Sequence, residues 1–208
     1  NSIPSKYLYL ENDKEYEIKL NMPGRYNAMN SLAALSIARE LEIPIKTIQK
    51  AIENFPGISR RFEIVGEYKV SNKKFKWIDD YGHHPTEMKE VLETINNVWS
   101  NKKIIMIFQP HRYSRTAEHF SQFVDILKNV DNLILMDVYA ANEVAIDNIS
   151  SEVLLDEIRK YNENVKLIND HKKLVKYVNQ KVNDNNILLT MGAGDISKFK
   201  NYYKNSLE

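Results

Sequence analysis

From Lys73 onward the chain alternates short apolar runs with amphipathic stretches of helical period, a rhythm that few architectures accept. The runs are KKFKWIDD (73–80), KIIMIFQ (103–109), NLILMDVY (132–139), NVKLIND (164–170) and NILLTMGAGD (186–195). They are short, rich in Ile, Leu and Val, and bounded by polar or Gly/Pro punctuation, so each predicts a buried strand. Between them fall a helix of about 14 residues begun by Pro85, a helix over 118–130 with Phe120, Phe123, Val124 and Leu127 on one face, and helices over 151–161 and 170–182. A last helix follows the fifth run.

Helices joining buried strands require right-handed crossovers. The prediction is therefore an α/β, Rossmann-like three-layer domain with a mostly parallel sheet and helices on both faces. The segment upstream has a different grammar. KYLYLENDKEYEIKL (6–20) alternates Tyr7, Tyr9, Tyr16, Ile18 and Leu20 on either side of a polar Glu11–Lys14, which predicts a β-hairpin. Pro23-Gly24 breaks it. Leu32, Ala33, Leu35, Ala38 and Leu41 predict a helix over 27–41 that Pro44 closes, and a shorter helix is expected over 46–54. The turn FPGISRR (55–61) is the natural domain boundary.

Composition excludes more than it assigns. With 29 Lys+Arg against 28 Asp+Glu the formal charge is +1, which recommends neither nucleic acid nor an anionic membrane as a partner. No apolar run approaches the roughly 18 residues of a membrane span, and the amino terminus lacks the layout of a signal peptide, so a cytoplasmic protein is expected. The absence of cysteine removes disulfides, thiolate metal sites and a cysteine nucleophile. The fold class leaves oligomeric state open.

Open parallel sheets bind ligands beyond the carboxyl ends of their strands. The polar clusters of this chain follow the apolar runs at those ends: Asp79-Asp80-Tyr81, Gln109 to Arg115, Asp137 to Glu143, and Gly192 to Asp195. Arg112 and Arg115 are three apart, so at a helix start they share one face and suit a carboxylate or phosphate; the alternative is a solvated basic face. Asp80 and His83-His84-Pro85 read equally as turn and helix-start residues. Two adjacent histidines without a third ligand do not make a metal site. GAGD is too short for a dinucleotide fingerprint, and no Gly-x-x-x-x-Gly-Lys-Ser/Thr loop occurs.

Four longer strings, DDYGHHPTE (79–87), FQPHRYSRT (108–116), DVYAANE (137–143) and GAGDI (192–196), resemble in order and separation the carboxyl-terminal domain of the Mur ligases, in particular those that join L-alanine to UDP-N-acetylmuramate. PGRYNAMNSLAAL (23–35) and FPGISRRFE (55–63) resemble the end of that family's ATP-binding central domain. The resemblance covers nearly the whole chain. It implies a fragment: residues 1–62 as the tail of the central domain, and 63–208 as a complete carboxyl-terminal domain.

The resemblance also implies roles. Asn27 and Asn30 would lie beside the adenine of ATP, Arg61 near the nucleotide with Arg60 as a less certain partner, and the Asp80 carboxylate on the ribose hydroxyls. Tyr81, His83, His84, His111, Arg112 and Arg115 would form the amino-acid pocket, with the arginines on the carboxylate of L-alanine and Ala140, Ala141 and Glu143 along the third loop. Tyr26 stands where many relatives have His, and Asn142 where many have Gly; Asn tolerates the left-handed turn expected there. The implied chemistry is ATP- and Mg2+-dependent amide formation through an acyl phosphate, in peptidoglycan synthesis, with the metal ligands and phosphate loop outside this chain. The isolated fragment is then expected to be inactive. Two alternatives stand beside this reading: a ligase that recycles murein tripeptide onto the same sugar, and a non-catalytic Rossmann-like binding module.

Overall fold

The structure is a computed structural model that describes residues 3–206. The chain divides into two compact units, one running to Phe62 and including Glu90–Ser100, the other comprising Glu63–Lys89 and Asn101 onward.

In the first unit, β1 (Ser5–Glu11) and β2 (Lys14–Leu20) form an antiparallel hairpin in which Tyr9 faces Tyr16 and Glu11 faces Lys14. Asn12 and Asp13 both have positive φ, the requirement of a two-residue hairpin turn. The hairpin is followed by α1 (Arg25–Glu40) and α2 (Ile45–Glu53). Ile18, Leu35 and Ile48, one from each element, make the buried centre. The Arg39 guanidinium grips both oxygens of Glu11 at 2.9 and 3.0 Å, tying α1 to the hairpin tip. Gly24 has φ of 98°, and a Cβ there would lie 2.7 Å from the Thr94 hydroxyl, so the chain can turn into α1 only with glycine.

The second unit is a six-stranded sheet in the order β3 (Glu63–Val70), β4 (Lys73–Asp80), β8 (Asn186–Met191), β5 (Lys103–Phe108), β6 (Asn132–Leu135), β7 (Val165–Leu167). All neighbours are parallel except β3 with β4. The helices are α3 (Pro85–Val98), of which only the residues up to Lys89 belong to this unit, α4 (Tyr113–Glu118), α5 (Phe120–Leu127), α6 (Ser151–Arg159) and α7 (His171–Lys181), and a 3-10 turn over Asp195–Lys198 leads into α8 (Phe199–Asn205). Strand alternation assigns the two faces. Trp77, Ile105, Ile107, Ile134 and Leu188 bury against Leu174 and Val178 of α7 and Phe199 and Tyr203 of α8. On the opposite side Phe108 meets Phe123 of α5 at 5.6 Å between ring centroids. The sheet is thus a middle layer with apolar side chains on both faces, as the apolar runs require.

Three details depart from the sequence reading. β3 was not expected: EIVGEYKV is an edge strand, and its alternating charges and Gly66 bulge conceal the pattern. The run 132–139 is a strand only to Leu135, because beyond it the chain leaves the ladder for a single bridge between His111 and Tyr139. The helix expected over 118–130 is the shorter α5, Phe120–Leu127, and His119 (φ −112°, ψ 19°) separates it from α4, which begins at Tyr113.

Candidate functional site at the carboxyl ends of the strands

β4 ends on two buried carboxylates, Asp79 and Asp80, which as neighbours on the strand point to opposite faces. The Asp79 carboxylate accepts the Thr190 hydroxyl at 2.6 Å, and Thr190 accepts the Trp77 indole N–H at 2.9 Å, a relay that locks β4 to β8 inside the sheet. Asp80 Oδ1 accepts the Gly82 N–H at 2.6 Å, while its carbonyl accepts from Gly192 at 3.2 Å. A Cβ on Gly82 would fall 2.8 Å from that same Oδ1, so the tight turn after β4 depends on glycine. Glu87, in the first turn of α3, accepts the N–H groups of both His83 and His84 at 3.0 and 3.2 Å, closing the turn from the helix side.

The loops that leave β5, β6 and β8 are fitted around Gln109. Its Oε1 accepts the Ile196 N–H at 2.8 Å, and its backbone N–H reaches Met191. Gly192 (φ 137°) and Gly194 pass so near that added Cβ atoms would meet the Gln109 carbonyl at 2.5 Å and its side-chain oxygen at 2.6 Å. GAGD is thus a close-approach loop.

Beside it the aromatic rings form a file. Tyr81 stands edge-on to His83 at 5.3 Å, His83 lies 5.6 Å from His111, and His111 stacks on Tyr139 at 5.5 Å with planes 12° apart. Arg112 caps α4 and donates its backbone N–H to the Tyr139 carbonyl at 2.8 Å; its φ is 72° with ψ 136°, a conformation that L residues avoid. One turn along α4, Arg115 Nη1 lies 3.2 Å from His111 Nδ1 and 3.3 Å from the His111 carbonyl. Burial depresses the His111 pKa, and the cationic forms of His83, Arg115 and Arg112 push it further the same way. Glu143 is held below the usual carboxylate range by the Ser114 hydroxyl and N–H, with Arg112 adding to the effect.

Tyr81, His83, His111, Arg112 and Arg115 therefore meet at the carboxyl-terminal edge of the sheet, beyond β4 and β5. His84 is turned to a different neighbour, His119, at 4.4 Å between rings. Ala140 lines a cavity of about 530 Å³ on the β6 side, and Ala141 and Asn142 both take positive φ (49° and 70°). Neither Ser114 as the partner of Glu143 nor Tyr139 as the ring that carries His111 is legible in the sequence. Among the described residues no three His, Cys, Asp or Glu side chains converge as a metal site.

Asn27, Asn30 and Arg61 lie in the first unit, where they line a cavity of about 550 Å³ together with Leu20, Met22, Tyr26 and Phe55. Asn27 is buried and donates from Nδ2 to the Pro23 carbonyl at 2.7 Å; Asn30 is exposed. Apolar walls rimmed by amide and guanidinium groups suit a flat heteroaromatic ring such as adenine. Asp80, with Oδ1 already committed to Gly82, belongs to the other unit.

The sheet order, the glycine loop packed on Gln109 and the arginine-flanked histidine define a class. Residues 60–194 match the family described as Mur ligase, glutamate ligase domain, and the chain belongs to that family. Its relatives narrow the comparison. It is 44% identical over 190 residues to the UDP-N-acetylmuramate--L-alanine ligase of Vesicomyosocius okutanii and 38% identical over 192 residues to that of Hydrogenovibrio crunogenus, in each case across 91% of this chain. The crystal structure of UDP-N-acetylmuramate-alanine ligase from Thermotoga maritima superimposes on 95% of the chain with a TM-score of 0.76 at 29% identity. A murein peptide ligase from Psychrobacter arcticus shares the fold at 18% identity, with a TM-score of 0.67. The chain spans 40% and 41% of the length of these two curated relatives. No helix among the described residues is long and apolar enough to cross a membrane.

Proposed function

We propose that this chain is the amino-acid-binding part of a cytoplasmic ligase that joins L-alanine to UDP-N-acetylmuramate in peptidoglycan synthesis. The observation that carries the reading is the convergence of Arg112 and Arg115 on His111 at the sheet edge, in a chain 44% identical to an enzyme named for that reaction. On this reading residues 1–62 are the tail of an ATP-binding central domain and 63–208 the carboxyl-terminal domain.

ATP supplies the activation of the sugar's carboxylate as an acyl phosphate, which the amine of L-alanine then attacks. The chain's own contribution is to bind and orient. Arg112 and Arg115 hold the alanine carboxylate, because two guanidinium groups orient a small ligand that has little apolar surface to offer. Tyr81 and His83 close the pocket around the methyl group. In the first unit, Asn27 and Asn30 lie beside the adenine, with Arg61 near the nucleotide. Such catalysis is largely positioning. Mg2+ is expected in the reaction, and among the described residues no three His, Cys, Asp or Glu side chains converge to hold it. With no phosphate loop in its sequence, the 208-residue chain alone is expected not to turn over.

The test is phosphate release by the full-length protein with ATP, Mg2+ and UDP-N-acetylmuramate, comparing L-alanine, murein tripeptide and no acceptor. Release that depends on L-alanine supports the reading. Dependence on tripeptide would move the assignment to a recycling ligase, and no release with either acceptor would favour a binding module.

A further inference from the structure

An amine can attack an acyl carbon only after it loses the proton it carries as an ammonium, and the sheet edge contains a group arranged to take it. A guanidinium only donates hydrogen bonds, so the 3.2 Å contact between Arg115 Nη1 and His111 Nδ1 makes Nδ1 the acceptor. In the neutral ring the hydrogen must then sit on Nε2. The one lone pair that could accept a proton is covered by Arg115, the same side chain that would bind a carboxylate. Stacking on Tyr139, with planes 12° apart, fixes the ring so that this nitrogen stays at the edge where Arg112 and Arg115 meet.

We propose that His111 is the proton acceptor for the incoming amino-acid ammonium, and that Arg115 keeps it masked until the substrate carboxylate draws the guanidinium away. This rests on the reading of the cluster as an amino-acid site. A carboxylate competes well for Arg115, since it offers the guanidinium an opposite charge and two parallel acceptors where the neutral imidazole offers one lone pair. Once Arg115 turns, the bared Nδ1 takes one proton from the ammonium. The products are an imidazolium with hydrogen on both nitrogens and a neutral amine whose lone pair is free to attack. An imidazolium Nδ1–H could not face Arg115, so unmasking must come first.

Electrostatics act in the same direction. Burial, His83, Arg115 and Arg112 all hold His111 towards neutrality, and only Glu143 opposes them. A carboxylate that neutralises both arginines removes two of these influences, so His111 becomes more basic when the substrate is in place. The other groups near the ring are Tyr139 on the loop after β6 and Tyr81 beyond His83. His83 is the rival acceptor: its Nδ1 faces the Tyr81 carbonyl at 3.0 Å, which in the neutral ring leaves Nε2 as its acceptor.

Two measurements decide it. Imidazole nitrogen NMR of the 208-residue chain without ligand should find His111, identified by its loss in His111→Gln, with hydrogen on Nε2; hydrogen on Nδ1 would overturn the proposal. The pH dependence of kcat/KM for L-alanine in the full-length enzyme should then plateau above the His111 pKa. In His111→Gln it should fall by about 100-fold or more near neutrality and climb roughly tenfold per pH unit as the amine deprotonates by itself. A loss of the same factor at every pH, or transfer of the pH limb to His83→Gln, would overturn it. If the wild-type enzyme shows no L-alanine-dependent turnover, the amino-acid reading fails first and takes this proposal with it, whatever the tautomer.

Discussion

Ser114 gives both its backbone N–H, at 3.0 Å, and its hydroxyl, at 2.6 Å, to the carboxylate of Glu143. The pair fastens the first turn of α4 to the loop that follows β6, and so sets where Arg112 and Arg115 stand relative to Tyr139. Ser114→Ala removes one of the two bonds and Glu143→Gln removes the charge. Either should raise KM for L-alanine several-fold in the full-length enzyme while leaving KM for ATP unchanged. Because these bonds depress the Glu143 pKa, the fastening persists below the ordinary Glu titration range, near pH 4.5, and is lost only as pH falls through the depressed value.

Arg112 occupies a conformation (φ 72°, ψ 136°) that costs a non-glycine residue about 1–3 kcal/mol. Arg112→Gly should therefore stabilise the chain by about 1 kcal/mol in denaturant unfolding while weakening L-alanine use at least tenfold. A variant both less stable and fully active would mean that the backbone there is held for structural reasons.

Gly194 has an ordinary φ, so only space forbids a side chain. The added Cβ of Gly194→Ala would lie 2.6 Å from Gln109 Oε1 and 2.7 Å from Tyr139 Cβ and Cγ. Overpacking of this kind costs about 1–3 kcal/mol. Since Tyr139 carries His111 by stacking, the thermal midpoint and the L-alanine KM should worsen together.

His171 stacks on Tyr202 at 4.7 Å with planes 8° apart, yet its buried Nδ1 has no hydrogen-bond partner. Burial lowers its pKa; Lys198 adds to this, and Asp195 and Asp170 oppose it. With the folded pKa below the unfolded value of about 6.5, the unfolded chain binds the extra proton in the window between them, so stability falls as pH drops below about 6.5. His171→Phe keeps the stack and removes both the orphaned nitrogen and the titration. It should be equally stable or up to about 1 kcal/mol more stable at pH 7, with a flatter stability profile as pH falls below about 6.5.

Much of this architecture is legible in the sequence because both faces of the sheet are buried. Runs such as KIIMIFQ admit little other than a central strand, and Pro85 marks the start of α3 to the residue. What escaped was decided by long-range partners. β8 inserts between β4 and β5 although it comes last, and nothing local to NILLTM specifies that neighbour. β3 is an edge strand with one exposed side, so its pattern is diluted by charge. The Tyr81–Asp80 and Arg112–Arg115 clusters stood out because polar residues follow directly on apolar runs. Tyr139, Ser114 and His171 did not, since each acquires its role from a residue 25 or more positions away.

The claim that the sheet edge is an amino-acid site is tested most directly by discrimination between L-alanine and ethylamine, which lacks only the carboxylate. Two charge-assisted arginine contacts of about 1.5–3 kcal/mol each predict that the full-length enzyme prefers L-alanine by about 100-fold or more in kcat/KM, and that Arg112→Ala erases at least tenfold of that preference. Full discrimination retained in Arg112→Ala, together with Arg115→Ala, would place the carboxylate elsewhere and contradict the account.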